Sequence, residues 1–440
     1  MKKGHPSNWR DYQNELKRKR RGKKLVNKLP MFAVCAVFAL GGMWVVIFWG
    51  VWFDGFSSKA GLNPDNRDKR QDRLKETVEV PDFSNFLETQ GLNTAQLTEK
   101  FYLKSGGTRY EIKSTIEQNL QNYVIWLLKR SMTRQAAVVA LDPSDGRILA
   151  LATYSDTGES DNICVEAEYP AASLFKIVSA AAAIEKTGFN PDRSVFYSGS
   201  KYTLYKSQLK NMRKGRYVSQ TTFKNAFATS INSVFGKLGI NSLGQQTMKE
   251  YADKFLFNSK IPFDIDVAES VAWVPEDEYG LAEAACGFNK NTLISPLHAA
   301  LLAASVANNG ILMAPRLVET ISSESGEVLF MSRPFMLAAP IRPGTAKKMK
   351  IMMRETTLYG TCRNFRKLRR KKAFKNVDMG AKTGTINDKG DQFKYDWLTT
   401  YGLSDNGKSI CIAVLGIHGE RLGIRANELG KMIINYYFSS

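Results

Sequence analysis

Three short patterns in this chain could do chemistry. Ser-x-x-Lys occurs at Ser173/Lys176, Ser198/Lys201 and Ser207/Lys210, Lys-Thr-Gly at 186–188 and 382–384, and Ser-x-Asn at 230–232 and 404–406. A serine hydroxyl attacks a carbonyl when a base sits within about 3 Å, and a lysine is such a base only when neutral. Lowering a lysine from ~10.4 to about 7 takes roughly 4–5 kcal/mol. Burial in an apolar core and a second nearby cation both push that way.

The elements that carry each pattern separate candidates from decoys. Ser173 opens a run rich in Ala and Ile that ends at Gly188, with Pro191 beyond. That composition predicts a helix with a glycine stop. Residues i and i+3 share a helix face, so Lys176 reaches the Ser173 hydroxyl, and the first turn favours anions. The bland reading is a serine N-cap and a solvated lysine. We keep that reading for Ser198 and Ser207, which lie in polar segments with Gly199 and Gln208. Lys186-Thr187-Gly188 is ordinary helix capping. Lys382-Thr383-Gly384-Thr385 instead lies among strands, and a Gly in an edge strand lets an extended peptide pair with its backbone. Ser404-Asp405-Asn406 runs into Gly407 between two strands and reads as a hairpin turn. Ser230-Ile231-Asn232 lies between apolar helical segments, where its polar groups can face a cleft.

The wider pattern supplies the scaffold. A helix is expected over residues 115–130, then strands over 136–141 and 148–152 joined by Asp-Pro-Ser-Asp-Gly. Residues 173–310 read as mostly helical, 376–416 as strands, and 428–438 as a closing helix. The two strand groups are expected to join in one antiparallel sheet flanked by helices, an α+β sandwich with an inserted all-helical subdomain.

The formal net charge of +20 is uneven, with eleven Lys/Arg and two Asp/Glu in the first thirty residues. Residues 31–53 are 23 uncharged residues. At 1.5 Å per residue they span roughly 35 Å, enough for a ~30 Å hydrocarbon core. A cleaved signal peptide would have an apolar core of about 7–15 residues and a small-residue cleavage site. We therefore expect a basic cytoplasmic tail (1–30), one transmembrane helix (31–53), a stalk (54–110) with a short helix near 94–101, and a globular domain (111–440) outside. The basic tail beside a span explains its charge without nucleic acid. Three His, widely separated, and no zinc spacing argue against a metal, and no Gly-rich phosphate loop argues for a nucleotide. No cofactor is expected. Cys164, Cys286, Cys362 and Cys411 lie in the outer part, where disulfides are permitted and three full pairings exist. Cys411, in an apolar run, reads as a buried free thiol.

In order, Ser173-x-x-Lys176, Ser230-x-Asn232 and Lys382-Thr383-Gly384-Thr385 resemble the penicillin-binding transpeptidases. Ala137–Ala152, Tyr169–Glu185, Phe223–Gly239, Thr292–Gly310 and Asp396–Gly402 extend the resemblance over residues 110–440. Departures are Ala172 and Ala381 where the family usually has Gly, and Ala285-Cys286-Gly287-Phe288 in place of a Gly-Gln-Gly-like approach. We expect these at the cleft rim. The resemblance implies that Ser173 attacks the penultimate D-Ala carbonyl of a peptidoglycan stem peptide and that Lys176 takes its proton. It implies that Ser230 and Asn232 relay protons and hold the substrate amide. Lys382 would supply positive potential, and Thr383, Gly384 and Thr385 would form the substrate-binding strand. The backbone N–H groups of Ser173 and Thr385 would form the oxyanion hole. β-Lactams would acylate Ser173, and other cell-wall synthesis proteins are possible partners. The implied location is the inner membrane, with the catalytic domain periplasmic. Alternatives sharing this acylation chemistry are a D,D-carboxypeptidase, a non-enzymatic β-lactam sensor or scaffold, and a serine β-lactamase. Residues 363–375, with eight Lys/Arg and no acid, are either a solvated loop or a site for an anionic partner.

Overall fold

The apolar runs of the central strands follow from having both faces covered. The computed structural model describes residues 97–440 except 106, 159–161 and 212–214. In β3 (Gln135–Leu141), Ala137, Val139 and Leu141 enter one core while Ala136, Val138 and Ala140 enter another. β11 (Ser409–His418) divides the same way, with Cys411, Ala413 and Leu415 opposite Ile410, Ile412 and Val414. These strands join β4 (Ile148–Ser155), β9 (Val377–Asn387) and β10 (Lys394–Ser404) in a five-stranded sheet ordered β9-β10-β11-β3-β4. Every neighbouring pair is antiparallel, as expected.

Helices cover both faces. α1 (Gln118–Lys129) packs on β4, and α9 (Ala426–Ser439) packs on β10 and β11. On the other face lies α7 (Pro296–Ala307), buried along its whole length. Pro296 at its start has no N–H to lose, and Ser295 caps it by accepting from His298 N at 3.2 Å. Thr399 of β10 donates to the Ala299 carbonyl at 2.7 Å and ties α7 to the sheet. The helical subdomain holds α2 (Lys176–Lys186), α3 (Phe223–Ala228), α4 (Asn232–Leu238), α5 (Gly244–Lys254) and α6 (Glu278–Cys286). α8 (Pro343–Leu358) packs on α2, α3 and β9.

The helix expected near 94–101 is corrected. β1 (Lys100–Ser105), inside the segment read as stalk, begins there and pairs with β2 (Thr108–Ser114), which runs across the expected boundary at 110. β7 (Val318–Ser322) and β8 (Val328–Met331) complete a second sheet ordered β1-β2-β7-β8. Its small core is Ile112, Val318 and Ile321. A sheet with one thin apolar face carries mostly polar side chains, so its strands resemble linker in composition. The expected tail, transmembrane helix and most of the stalk lie outside the described residues. Among the described residues, no helix is long and apolar enough to cross a membrane.

Candidate active site

The site is built where the helical subdomain meets the edge strand of the main sheet. Ser173 lies on a 3₁₀ turn (Ala172–Phe175) that runs directly into α2. The expected helix therefore starts with a tighter turn, which keeps residues i and i+3 on one side. Lys176 Nζ lies 2.8 Å from Ser173 Oγ. It also lies 2.8 Å from Asn232 Oδ1 and 2.5 Å from the Cys286 carbonyl. A neutral amine has two N–H bonds and one lone pair. With the two N–H bonds donated to Asn232 and Cys286, the lone pair is left for the Ser173 hydroxyl. Lys176 is wholly buried, and burial pushes its pKa down to about 8, with the Cys286 thiol pulling weakly the other way.

Ser230 and Asn232 come from the break between α3 and α4. Ser230 has φ 58, a left-handed conformation that turns the chain sharply there. Asn232 Nδ2 donates to the Tyr202 carbonyl at 2.9 Å, and Asn232 N donates to the Lys201 carbonyl at 2.8 Å. The segment holding the decoy Ser198/Lys201 thus orients Asn232. Ser198 ends β5 (Ser194–Ser198), which pairs with β6 (Val218–Thr222), and Ser207 is exposed on a separate turn. Lys186-Thr187-Gly188 ends α2, with Gly188 at φ 66, and Gly407 at φ 88 turns β10 into β11.

Lys382 is wholly buried on β9, and its Nζ donates to Ser230 Oγ at 3.0 Å and to the Thr383 carbonyl at 2.8 Å. Burial first, and the charge of Lys176 second, hold its ammonium well below the ordinary amine range. Gly384 lets the strand approach the 3₁₀ turn that carries Ser173. A Cβ there would sit 3.1 Å from Ala172 Cβ and 3.3 Å from Ser173 N. Trp397, opposite Gly384 on β10, donates its indole N–H to the Pro170 carbonyl at 3.0 Å and fixes the same approach from behind. Thr383 and Thr385 alternate with these residues along the strand. Their hydroxyls meet Thr361 Oγ1 at 2.6 Å and Asp396 Oδ1 at 3.2 Å respectively.

Several contributors escaped sequence reasoning. Cys286 and Gly287 do more than line a rim, because the Cys286 carbonyl holds Lys176. Gly287 has φ 66, and a Cβ there would fall 1.8 Å from the Ala172 carbonyl oxygen. Ala172 itself has φ 49, unusual for a residue with a Cβ. Arg425 pairs with Asp396 at 2.7 and 2.8 Å and reaches Thr385 Oγ1 at 3.4 Å. Burial raises the Asp396 carboxyl, but the opposing partners His418, Arg425 and the Ala426 N–H bring it down to about 2. His418 Nε2 lies 3.8 Å from the Asp396 carboxylate. A buried Asp in a strand was the available signal, because it needs a cation. His298, buried and pushed down to about 4, shares a 2.7 Å hydrogen bond with the Phe255 carbonyl and belongs to the core. The four described cysteines are buried and free, so no disulfide pairing forms among them, and Cys411 is the expected buried thiol. Among the described residues no cluster could hold a metal ion.

A serine–lysine pair beside a hydroxyl–amide loop and a lysine-bearing edge strand defines a serine acyl-transfer enzyme fold. The chain belongs to the family of the penicillin-binding protein transpeptidase domain, whose model matches residues 136–429. It is 25% identical over 334 residues to the peptidoglycan D,D-transpeptidase PbpA of Mycolicibacterium smegmatis, covering 68% of this chain and 65% of that protein. It is 24% identical over 297 residues to stage V sporulation protein D of Bacillus subtilis, covering 62% of this chain and 44% of that protein. The chain thus spans about two-thirds or less of these relatives. Its fold is similar to that of penicillin-binding protein A from M. tuberculosis, with TM-score 0.61, 23% identity and coverage of 74% and 80% of the two chains. The D,D-transpeptidase domain of a peptidoglycan glycosyltransferase from Eggerthella lenta also matches, with TM-score 0.61, 21% identity and coverage of 74% and 82%.

Proposed function

We propose that this protein is a membrane-anchored serine D,D-transpeptidase that crosslinks peptidoglycan stem peptides through an acyl-enzyme on Ser173 and is acylated there by β-lactams. The observation that carries this reading is the buried Lys176 amine, held by Asn232 and Cys286 with its remaining direction on Ser173. Ser173 Oγ forms the new bond to the penultimate D-Ala carbonyl, and its proton passes to Lys176. The backbone N–H groups of Ser173 and Thr385 stabilise the oxyanion, each such donor contributing about 10²–10³ in rate. The C–N bond then breaks, and the proton moves from Lys176 through Ser230 to the departing D-Ala amine. An amine of a second stem peptide resolves the ester.

The two buried lysines divide the proton work. A substrate carboxylate held by Thr383 and Thr385 favours the charged form of Lys382. A charged Lys382 in turn disfavours charge on Lys176, leaving the latter free to act as base. The side-chain partners of Ser173, Lys176, Ser230, Asn232 and Lys382 are amines, hydroxyls, an amide and carbonyls, with no carboxylate among them. Among the described residues that set offers no carboxylate to activate a deacylating water, which speaks against a β-lactamase of that type and leaves transpeptidase and carboxypeptidase to the assay below. Residues 31–53 would hold the catalytic domain on the outer face of the membrane.

Intact mass after mixing with penicillin tests the reading. We expect a persistent one-drug adduct that Ser173→Ala abolishes, while Ser198→Ala and Ser207→Ala retain it. Labelling that survives in Ser173→Ala would refute the site. A transient adduct with released penicilloate would indicate a β-lactamase. Crosslinking of purified stem-peptide substrates, with D-Ala released, then separates transpeptidase from carboxypeptidase and sensor.

A further inference from the structure

The segment 363–375 is not a loose charged loop. Arg363–Arg370 forms a 3₁₀ helix and Lys372–Phe374 a second short turn. Phe365, Leu368 and Phe374 are buried in the core shared with α9 and the outer sheet face. In a 3₁₀ helix residues i and i+3 stack, about 6 Å apart along the axis. Burying 365 and 368 therefore sets Arg363 above Arg366 and Lys367 above Arg370 in two outward columns.

Seven of the eight bases are exposed, with Arg369 turned in to the Met379 carbonyl at 3.2 Å. Among the described residues, none of the eight is in a salt bridge. The acids at the margin are already engaged: Glu428 by Lys431 and Asn364, Asp378 by Arg354 at 2.8 Å. Arg366 stacks on the exposed Tyr359, and Lys371 donates to Asn435 at 2.7 Å. Such a fixed, unneutralised array costs repulsive energy unless an anion answers it.

From this geometry we infer that residues 363–375 bind a linear phosphate-bearing polymer lying along the enzyme surface. Two parallel columns of cations match repeated charges on one chain better than a single ion. Arginine forks take phosphate oxygens two at a time. The segment's large apolar side chains, Phe365, Leu368 and Phe374, are buried and only the small Ala373 is exposed, so it offers no bulky group for insertion into a bilayer, which disfavours a membrane surface. The segment follows Thr361, whose hydroxyl contacts Thr383 of the edge strand. A polymer held here would run past the carboxylate end of the cleft, keeping the catalytic domain on anionic polymer beside its site of action. This inference does not depend on the catalytic reading.

The test uses the full chain in neutral detergent and fluorescein-labelled long-chain inorganic polyphosphate. Binding is measured against salt for the wild type and for Arg363→Gln/Arg366→Gln/Lys367→Gln/Arg370→Gln, with Lys372→Gln/Lys375→Gln as a second variant. The basic N-terminal tail is common to all three proteins, so the readout is the difference in salt slope. Each neutralised contact should reduce the slope of log K against log salt by about 0.7–0.9, and the fourfold variant should bind at least tenfold more weakly at 0.1 M salt. Unchanged thermal unfolding shows that the fold is intact. Equal slopes for all three proteins would overturn the inference. So would sensitivity to the substitutions that appears only with micelles carrying phosphatidylglycerol and not with polyphosphate, since that assigns the surface to a membrane.

Discussion

The pH dependence of Ser173 acylation is the sharpest consequence of the Lys176 environment. Burial brings this amine from 10.5 to about 8. At pH 7 about one molecule in ten then carries a neutral Lys176, against about one in 3,000 for an ordinary lysine. That is a gain of a few hundredfold in available base, roughly 3 kcal/mol. The sign follows from the role: the base must be neutral, so acylation rises with pH and levels above the pKa. For the free enzyme, the second-order rate constant for penicillin should climb close to tenfold from pH 6 to 7 and flatten beyond about 8. Burial rather than Lys382 sets this value, so in the free Lys382→Gln enzyme the inflection should stay close to pH 8. Stopped-flow fluorescence with a dansylated penicillin measures both profiles. A rate constant flat between pH 6 and 8, in an enzyme that still labels on Ser173, would refute Lys176 as the titrating base.

Four further outcomes are expected. Thr361→Val should raise KM for donor peptides about two- to tenfold with kcat little changed, because Thr383 loses the hydroxyl that orients it, and Thr361→Ser should restore KM. Gly384→Ala should slow acylation roughly ten- to hundredfold with a small change in melting temperature, since the added Cβ presses on Ala172 and Ser173. Asp396→Asn should cost roughly 2 kcal/mol near neutral pH. Because the folded-state pKa is depressed from 3.8 to about 2, this stability is present above pH ~4 and fades as pH falls through 2, which urea unfolding across that range would read out. Ellman's reagent should leave Cys164, Cys286, Cys362 and Cys411 unmodified in the native protein, since all four are buried with raised thiol pKa values. After unfolding without reductant all five cysteines should react, and missing thiols would reveal a disulfide.

Much of the site was legible because its chemistry is local. Ser173 and Lys176 are one turn apart, Ser230 and Asn232 share one loop, and Lys382 to Thr385 share one strand. The flanking apolar runs then told helix from strand and removed the decoys. The main sheet was legible for a related reason: β3, β4 and β11 are covered on both sides and read as unbroken apolar runs. What escaped was whatever depends on tertiary contact alone. Any residue supplies a carbonyl, so nothing in Cys286 announces that it holds Lys176. Thr361 and Thr383 are single hydroxyls brought together by the fold, and Arg425 meets Asp396 across 29 residues. β1 and β2 escaped because a ribbon with one thin apolar face has the composition of a linker.

The open edge of β9 has a further consequence. An unpaired strand edge is a template for any other strand, including one from a second copy of the chain. Here the turn that carries Ser173 packs closely against that strand at Gly384. The turn is in turn seated on Gly287, where no side chain fits. A turn unseated from Gly287 would uncover more of that strand. Gly287→Ala, which drives a Cβ into the Ala172 carbonyl, should yield protein that accumulates as insoluble β-rich material, whereas Ser173→Ala should stay soluble and merely silent.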